Sequence, residues 1–230
     1  MSEAEDLIPA ASVVLVRDGV GGVEVLMVRR SEAVRNFTGM WVFPGGRIDP
    51  GDYADTEDIR GAALNAAVRE TAEEAGMRIE GERLSQLSRW TAPAGAPKRF
   101  DTWFFAGVIE EQQDVVVDGG EIAEHRWVEP AAVLAEQAAG ELRMMPPTFV
   151  SLLEIDRYEN CAELHRGIAG SEPFHFTPKV AGAGGTLCFL YAGDAGFETG
   201  DATLRGVRHR CIMRVDGLAD GGTLSYIREV

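Results

Sequence analysis

Basic residues are scarce in this chain. It carries 22 Lys and Arg against 37 Asp and Glu in 230 residues, a formal net charge of −15, and its pI is near 4.7. A surface of that sign repels nucleic acid and anionic membrane, so neither is expected as a partner of the whole surface. A small phosphorylated ligand stays open, provided that a metal or a local basic patch screens the charge. Cysteine is scarce as well. Cys161, Cys188 and Cys211 form an odd set with no CxxC pair, which argues against a secreted disulfide framework and for a reducing cytoplasm. No apolar run approaches the ~18–20 residues of a membrane span, and the opening MSEAEDLIPA lacks the basic-then-apolar pattern of a signal peptide. The histidines, His125, His165, His175 and His209, show no zinc-ligand spacing. The glycine-rich AGAGGTLC lacks the GKS/T ending of a phosphate loop.

What is present is an ordinary globular composition, 45% hydrophobic and 26% charged, able to bury a sizeable core. ASVVLVRDGVGGVEVLMVRR reads as a hairpin around an Asp-Gly turn. MWVFPGG reads as a short strand stopped at Pro44, Gly45 and Gly46, followed by the polar loop RIDPGDYADTED. A helix is predicted from Thr56 or Glu57 to Ala75, with Thr56 as the cap and Gly76 as the stop. RLSQLSRWTA, RFDTWFFAGVIE and EIAEHRWVEP read as strands, Pro130 opens a helix, and Pro146 and Pro147 precede another. From about Asn160 the pattern changes to short apolar runs with Gly/Asp turns, read as an added β element packed on the main domain.

The chemistry concentrates in RETAEEAG, residues 69–76. On a helical wheel Leu64, Val68, Thr71, Ala72 and Ala75 make an apolar stripe, and Glu70, Glu73 and Glu74 share the other side. Composition alone makes such a cluster a solvated helix face. A concave, partly dry setting would instead require a cation, and oxygen ligands at i, i+3 and i+4 suit Mg²⁺ or Mn²⁺. Upstream, FPGGRIDPGD places a Pro-Gly-Gly break after a strand, where backbone can approach a ligand closely.

Gly46, five residues, Asp52, a spacer, then Arg69-Glu70-x-x-Glu73-Glu74-x-Gly76 and Met77 resemble the Nudix box of the Nudix hydrolase family, over about residues 8–158. Asp52 stands where that family usually has Glu, and the gap to Arg69 is longer by an insertion, YADTEDIRG. Asp52 is therefore in question, with Glu57 or Asp58 as nearer neighbours of the metal. The resemblance implies an α/β/α sandwich with a mixed sheet, carrying a C-terminal β-rich extension: residues 1–7 as tail, 8–158 as the Nudix domain, 159–230 as the extension. It implies a hydrolase that cleaves a nucleoside diphosphate joined to another group. Glu70 and Glu74 would be direct metal ligands, Glu73 a ligand directly or through water and a catalytic group, and Gly45 a carbonyl donor. Arg69 would hold the glutamates. Glu121, then Glu124, would complete the shell or serve as base.

Arg89, Trp90, Pro93, Arg99, Phe100, Asp101, Thr102, Phe104 and Phe105 resemble the branch related to peroxisomal coenzyme A diphosphatases, which implies CoA or acyl-CoA as substrate. The expected substrate-binding residues are Arg30, Lys98, Arg99 and Phe104; by strand spacing the aromatics also suit a core. Rival readings are an ADP-ribose or NADH pyrophosphatase, a nucleotide sensor without turnover, and an isomerase on the same fold. The tail beyond residue 160 carries no functional signal; it covers the core, shapes the substrate mouth or forms a homodimer contact.

Overall fold

Residues 8–18, IPAASVVLVRD, are buried almost continuously from Ala10 to Val16, the pattern of a strand covered on both faces. This strand, β1 (Ile8–Asp18), is central to the sheet in a computed structural model that describes residues 7–34, 36–110, 113–183, 185–214 and 222–229. The predicted N-terminal tail lies, apart from Leu7, outside the described residues. Next come β2 (Val23–Arg30), β3 (Trp41–Val42), β4 (Gly45–Arg47), helix α1 (Ile59–Ala75), β5 (Leu84–Thr91), β6 (Phe100–Val108) and β7 (Ile122–Val128). With a later strand, β8 (Phe174–Phe176), they form an eight-stranded sheet in the order β3-β2-β1-β6-β5-β8, with β4 paired to β1 and β7 to β2. β1 and β6 run parallel, as do β5 and β8; the other pairs are antiparallel. Helix α1 covers one face over Val13, Leu15, Leu26, Trp103 and Phe105. The other face, with Val14, Val16, Met27 and Phe104, is covered by α2 (Pro130–Ala138), α3 (Pro146–Ile155) and α4 (Cys161–Ala169). The result is a mixed-sheet α/β/α sandwich.

Two expectations shift at the element ends. Helix α1 begins at Ile59, not at 56 or 57, and its cap is Asp58, whose carboxylate accepts from the Gly61 amide; the Thr56 hydroxyl accepts from the Asp58 amide just upstream. Pro146 and Pro147 belong to the first turn of α3 rather than preceding it, where their missing amides leave no helical bond unmade.

The tail begins with a helix, which the sequence reading did not predict. Cys161, Leu164 and Ile168 are its buried stripe and Asn160 caps it, accepting from the Glu163 amide at 2.9 Å. Strand β8 then joins the first sheet, and Phe176 stacks on Trp90 with centroids 3.8 Å apart. Only after that comes the second sheet, order β12-β11-β10-β9, from β9 (Lys179–Ala183), β10 (Thr186–Leu190), β11 (His209–Arg214) and β12 (Thr223–Arg228). Buried Gln137 of α2 ties β12 to the first layer: its amide donates to the Gly222 carbonyl at 3.0 Å and accepts from the Leu224 amide at 3.2 Å. One hydrophobic cluster runs from Val14 through Phe149 and Leu164 to Met213 and Leu224.

Candidate active site

The inward face of α1 decides where the acids go. Ala62, Ala66, Glu70 and Glu74 follow one another at four-residue spacing, one row along the helix. Ala62 and Ala66 are fully buried, and their small side chains let the helix lie close to the sheet. The same row then runs off the apolar patch onto the glycine turn, so Glu70 and Glu74 point inward. This corrects the predicted stripe: Leu64 and Val68 are only partly buried and Ala72 is exposed. A hydropathy wheel gives alanine little weight, whereas close packing on a sheet selects it. Gly76 ends the helix at φ 66°, its amide on the Ala72 carbonyl at 3.1 Å.

Glycine leaves the room that those carboxylates occupy. At Gly45 (φ 157°) a Cβ would run into the Ala11 carbonyl and Ser12. At Gly46 a Cβ would collide with the Glu70 carboxylate. The preceding Pro44 carbonyl accepts from the Ser12 hydroxyl at 3.1 Å and the Val13 amide at 2.9 Å, which pins the turn to β1. The Gly45 amide donates to Glu74 Oε2 at 2.9 Å.

Glu74 is 6% exposed. Desolvation pushes its pKa up to about 8, and Glu70 and Glu121 push the same way, against the Gly45 amide and Arg30. Arg30 Nη1 lies 3.7 Å from Glu74 Oε1. Glu70 is raised as well, by burial first, with Glu73 and Glu121 adding to it and Arg69 opposing. Glu73 is the outlying member, its side chain 58% exposed.

Arg69 gathers the acids. Its Nε and Nη2 donate to the two oxygens of Asp52 at 3.1 and 2.9 Å, its Nη1 to Glu70 at 2.8 Å and Glu73 at 3.1 Å, and Nη2 also to the Arg47 carbonyl at 2.9 Å. Burial alone would raise the Asp52 pKa, but Arg69 and the Asp49 amide hold it below the usual carboxylate range. Asp52, not Glu57 or Asp58, is thus the acid facing the box arginine. A 3-10 turn at Pro50–Tyr53 presents it; residues 54–57 of the insertion loop out, and its last four supply the Asp58 cap and the first helical residues, Ile59 to Gly61.

Adjacent Arg29 and Arg30 leave β2 toward opposite faces. Arg30 faces α1, and its Nη2 donates to Glu121 Oε2 at 3.0 Å. Arg29 takes Glu124 at 2.9 Å, so the second candidate base is directed away from the site. Glu121 is set by a residue the sequence reading missed. Asp118 accepts from the amides of Glu121 and Ile122, both at 2.9 Å; an Asp before Gly119-Gly120 was the available signal. The structure therefore brings together Gly45, Arg69, Glu70, Glu74, Arg30 and Glu121. Lys98 is exposed, and Arg99 donates to the Ala92 carbonyl at 3.3 Å in the β5–β6 turn. Phe104 is corrected: at 6% exposure it belongs to the core with Trp90, on the face opposite α1, so it offers no ring to a ligand.

Among the described residues no three ligating side chains already converge on one point; Glu70 rests on Arg69 and Glu121 on Arg30. The donor set still fits a hard divalent ion. Its oxygens are partly dry, mutually repelling carboxylates beside a turn without side chains, and a cation relieves that repulsion.

Fold and site together define an α/β/α sandwich that sets a helix-borne carboxylate cluster against a glycine turn. The NUDIX domain model matches residues 6–148, well over half of the chain, and the chain belongs to that family: it is a Nudix hydrolase. Nudix hydrolases generally use divalent metal ions. A crystal structure of a NUDIX hydrolase from Alicyclobacillus acidocaldarius is 25% identical with TM-score 0.65, over 71% of this chain and 97% of that one. Among curated relatives, the human acyl-coenzyme A diphosphatase NUDT19 is 27% identical over 89 residues, 38% of this chain and 24% of its own. The Xenopus laevis m7GpppN-mRNA hydrolase NUDT17 is 26% identical over 147 residues, 57% of this chain and 47% of its own. The chain thus spans less than half the length of these two relatives. No described helix is long and apolar enough to cross a membrane.

Proposed function

We propose that this protein hydrolyses the diphosphate linkage of a nucleoside diphosphate joined to another group, with Mg²⁺ or Mn²⁺, and that coenzyme A or an acyl-CoA is its substrate. The observation that carries the reading is Glu74, buried and bonded to the Gly45 amide with Glu70 and Glu121 beside it. Glu70 and Glu74 would hold the ion, with Glu73 at its rim and the Gly45 carbonyl as a further donor. When bound, the ion neutralises diphosphate oxygens and polarises the attacking water. Glu121 takes the water's proton and Asp118 orients it for that step. Arg69 keeps the glutamates in register through its five-donor fork. Arg30 meets a substrate phosphate once its carboxylate partners turn to the cation, and Lys98 and Arg99 offer a basic edge at the same end of the sheet. The CoA assignment is supported by the Arg89–Phe105 pattern and by the likeness to the human acyl-CoA diphosphatase.

The test is incubation with CoA, an acyl-CoA, ADP-ribose and NADH, each with Mg²⁺ and Mn²⁺, and identification of products by mass. Cleavage of CoA to 3′,5′-ADP and a phosphopantetheine is expected. Cleavage of ADP-ribose or NADH alone would move the assignment to those substrates, and tight binding without any product would make the domain a sensor.

A further inference from the structure

Phe37 is the only non-glycine among the described residues with a positive φ, 54°. That conformation is disfavoured for an aromatic residue, which loses nothing by being replaced with Gly or Asn unless its side chain has work elsewhere. The ring is not there for the core, since Phe37 is 40% exposed. The backbone around it is nevertheless held on every side. The Thr38 hydroxyl donates to the Val34 carbonyl at 2.7 Å, the Met40 amide to the Phe37 carbonyl at 3.0 Å, and Arg143 to the Thr38 carbonyl at 3.3 Å.

The fourth tie leads to the site. Arg30 Nε donates to the Asn36 carbonyl at 3.1 Å, while the same guanidinium faces Glu121 and Glu74. Summing that hydrogen bond and the covalent bonds that follow it puts the Phe37 Cα no more than about 7 Å from Arg30 Nε. The Phe37 Cα therefore lies within one side chain's length, about 7 Å, of the cation that faces both carboxylates, and the residue is exposed.

We propose that Phe37 is a substrate-binding residue that stacks on the nucleobase of a nucleoside-diphosphate substrate. The proposal rests on the diphosphate reading above. A flat, apolar, π-bearing side chain carried within reach of Arg30 suits a base, whose faces stack on aromatics irrespective of its hydrogen-bonding edges. It also supplies the aromatic contact that Phe104, being in the core, does not make.

The experiment compares wild type with Phe37→Gly, Phe37→Leu and Phe37→Trp on a cleaved nucleoside-diphosphate substrate and on a diphosphate without a base, such as an isoprenyl diphosphate. Melting curves check that each variant is folded. Phe37→Gly and Phe37→Leu are expected to raise KM for the nucleoside substrate about tenfold or more, with kcat little changed, while Phe37→Trp retains wild-type KM. A rise in KM of the same size on the base-free diphosphate overturns the proposal, since that substrate has no base to stack. Unchanged KM in Phe37→Gly overturns the proposal, as does full retention by Phe37→Leu, which would mean an apolar contact without stacking. A wild-type protein that cleaves no nucleoside diphosphate overturns the functional reading itself, which is a separate result.

Discussion

A single carboxylate, Glu74, is the most deeply buried glutamate of the candidate site. Its burial is costly for a bare anion and favourable beside a cation, and that asymmetry is measurable. In the metal-free protein its pKa of about 8 lies above its ordinary 4.5. Between those values the folded state holds a proton that the unfolded chain has released, so stability falls as pH rises across that window. Thermal melts in a chelator should show the decline, and Glu74→Gln should flatten it. The same substitution should lower turnover on the order of 10³-fold or more with the fold intact; near-wild-type rates would remove Glu74 from the site. At this scale the sequence was legible where spacing carries information: the pattern resembling the Nudix box singled out Arg69, Glu70 and Glu74, and the fold sets Arg69 on Glu70 and Glu74 on the Gly45 amide. Asp52 was not resolved, because an insertion breaks the spacing and only the folded turn at Pro50–Tyr53 restores its place opposite Arg69.

Among the elements, α1 and the glycine turn work as a pair. The row Ala62-Ala66-Glu70-Glu74 was hidden from hydropathy, since alanine and glutamate do not look like one face until a sheet is laid against them. Strand β6 misled in the other direction: Phe104 looks like a ligand platform in sequence and is core because helices α2, α3 and α4 cover its face of the sheet. Helix α4 was missed because its nine residues are too few to establish a period against the strand signals that follow. Gly46→Ala tests the pairing. The added methyl displaces the Glu70 carboxylate, so kcat/KM should fall at least about tenfold, with a melting temperature close to wild type. A variant with full activity would show that Glu70 needs no such proximity.

Over the whole molecule, the second sheet is bound into the first by Gln137, by β8 and by a shared apolar cluster. Its own anchor is a buried ion pair, Asp194 to Arg210 at 2.6 and 2.7 Å. Burial would raise the Asp194 pKa, but Arg210 and the amides of Gly196 and His209 bring it down to about 2. A lowered carboxylate stabilises the fold above its unfolded value of 3.8 and loses that contribution as pH falls toward about 2. Asp194→Asn should cost about 3–5 kcal/mol, because Arg210 is left buried without its partner. A chemical-denaturation midpoint unchanged at pH 7 would show that the pair is not an anchor. The pair was not legible in sequence, since the partners stand sixteen positions apart and neither lies in a motif.

The central claim is that the inward glutamates of α1, with the glycine turn, seat a divalent ion against a diphosphate. Anomalous diffraction from a crystal soaked with Mn²⁺ and a non-hydrolysable diphosphate analogue tests it directly. The account expects Mn²⁺ within ligand distance, about 2.0–2.3 Å, of Glu70 and Glu74 carboxylate oxygens, with Glu70 turned from Arg69. Manganese bound elsewhere at full occupancy, with Glu74 still on the Gly45 amide and Glu70 still on Arg69, would contradict it.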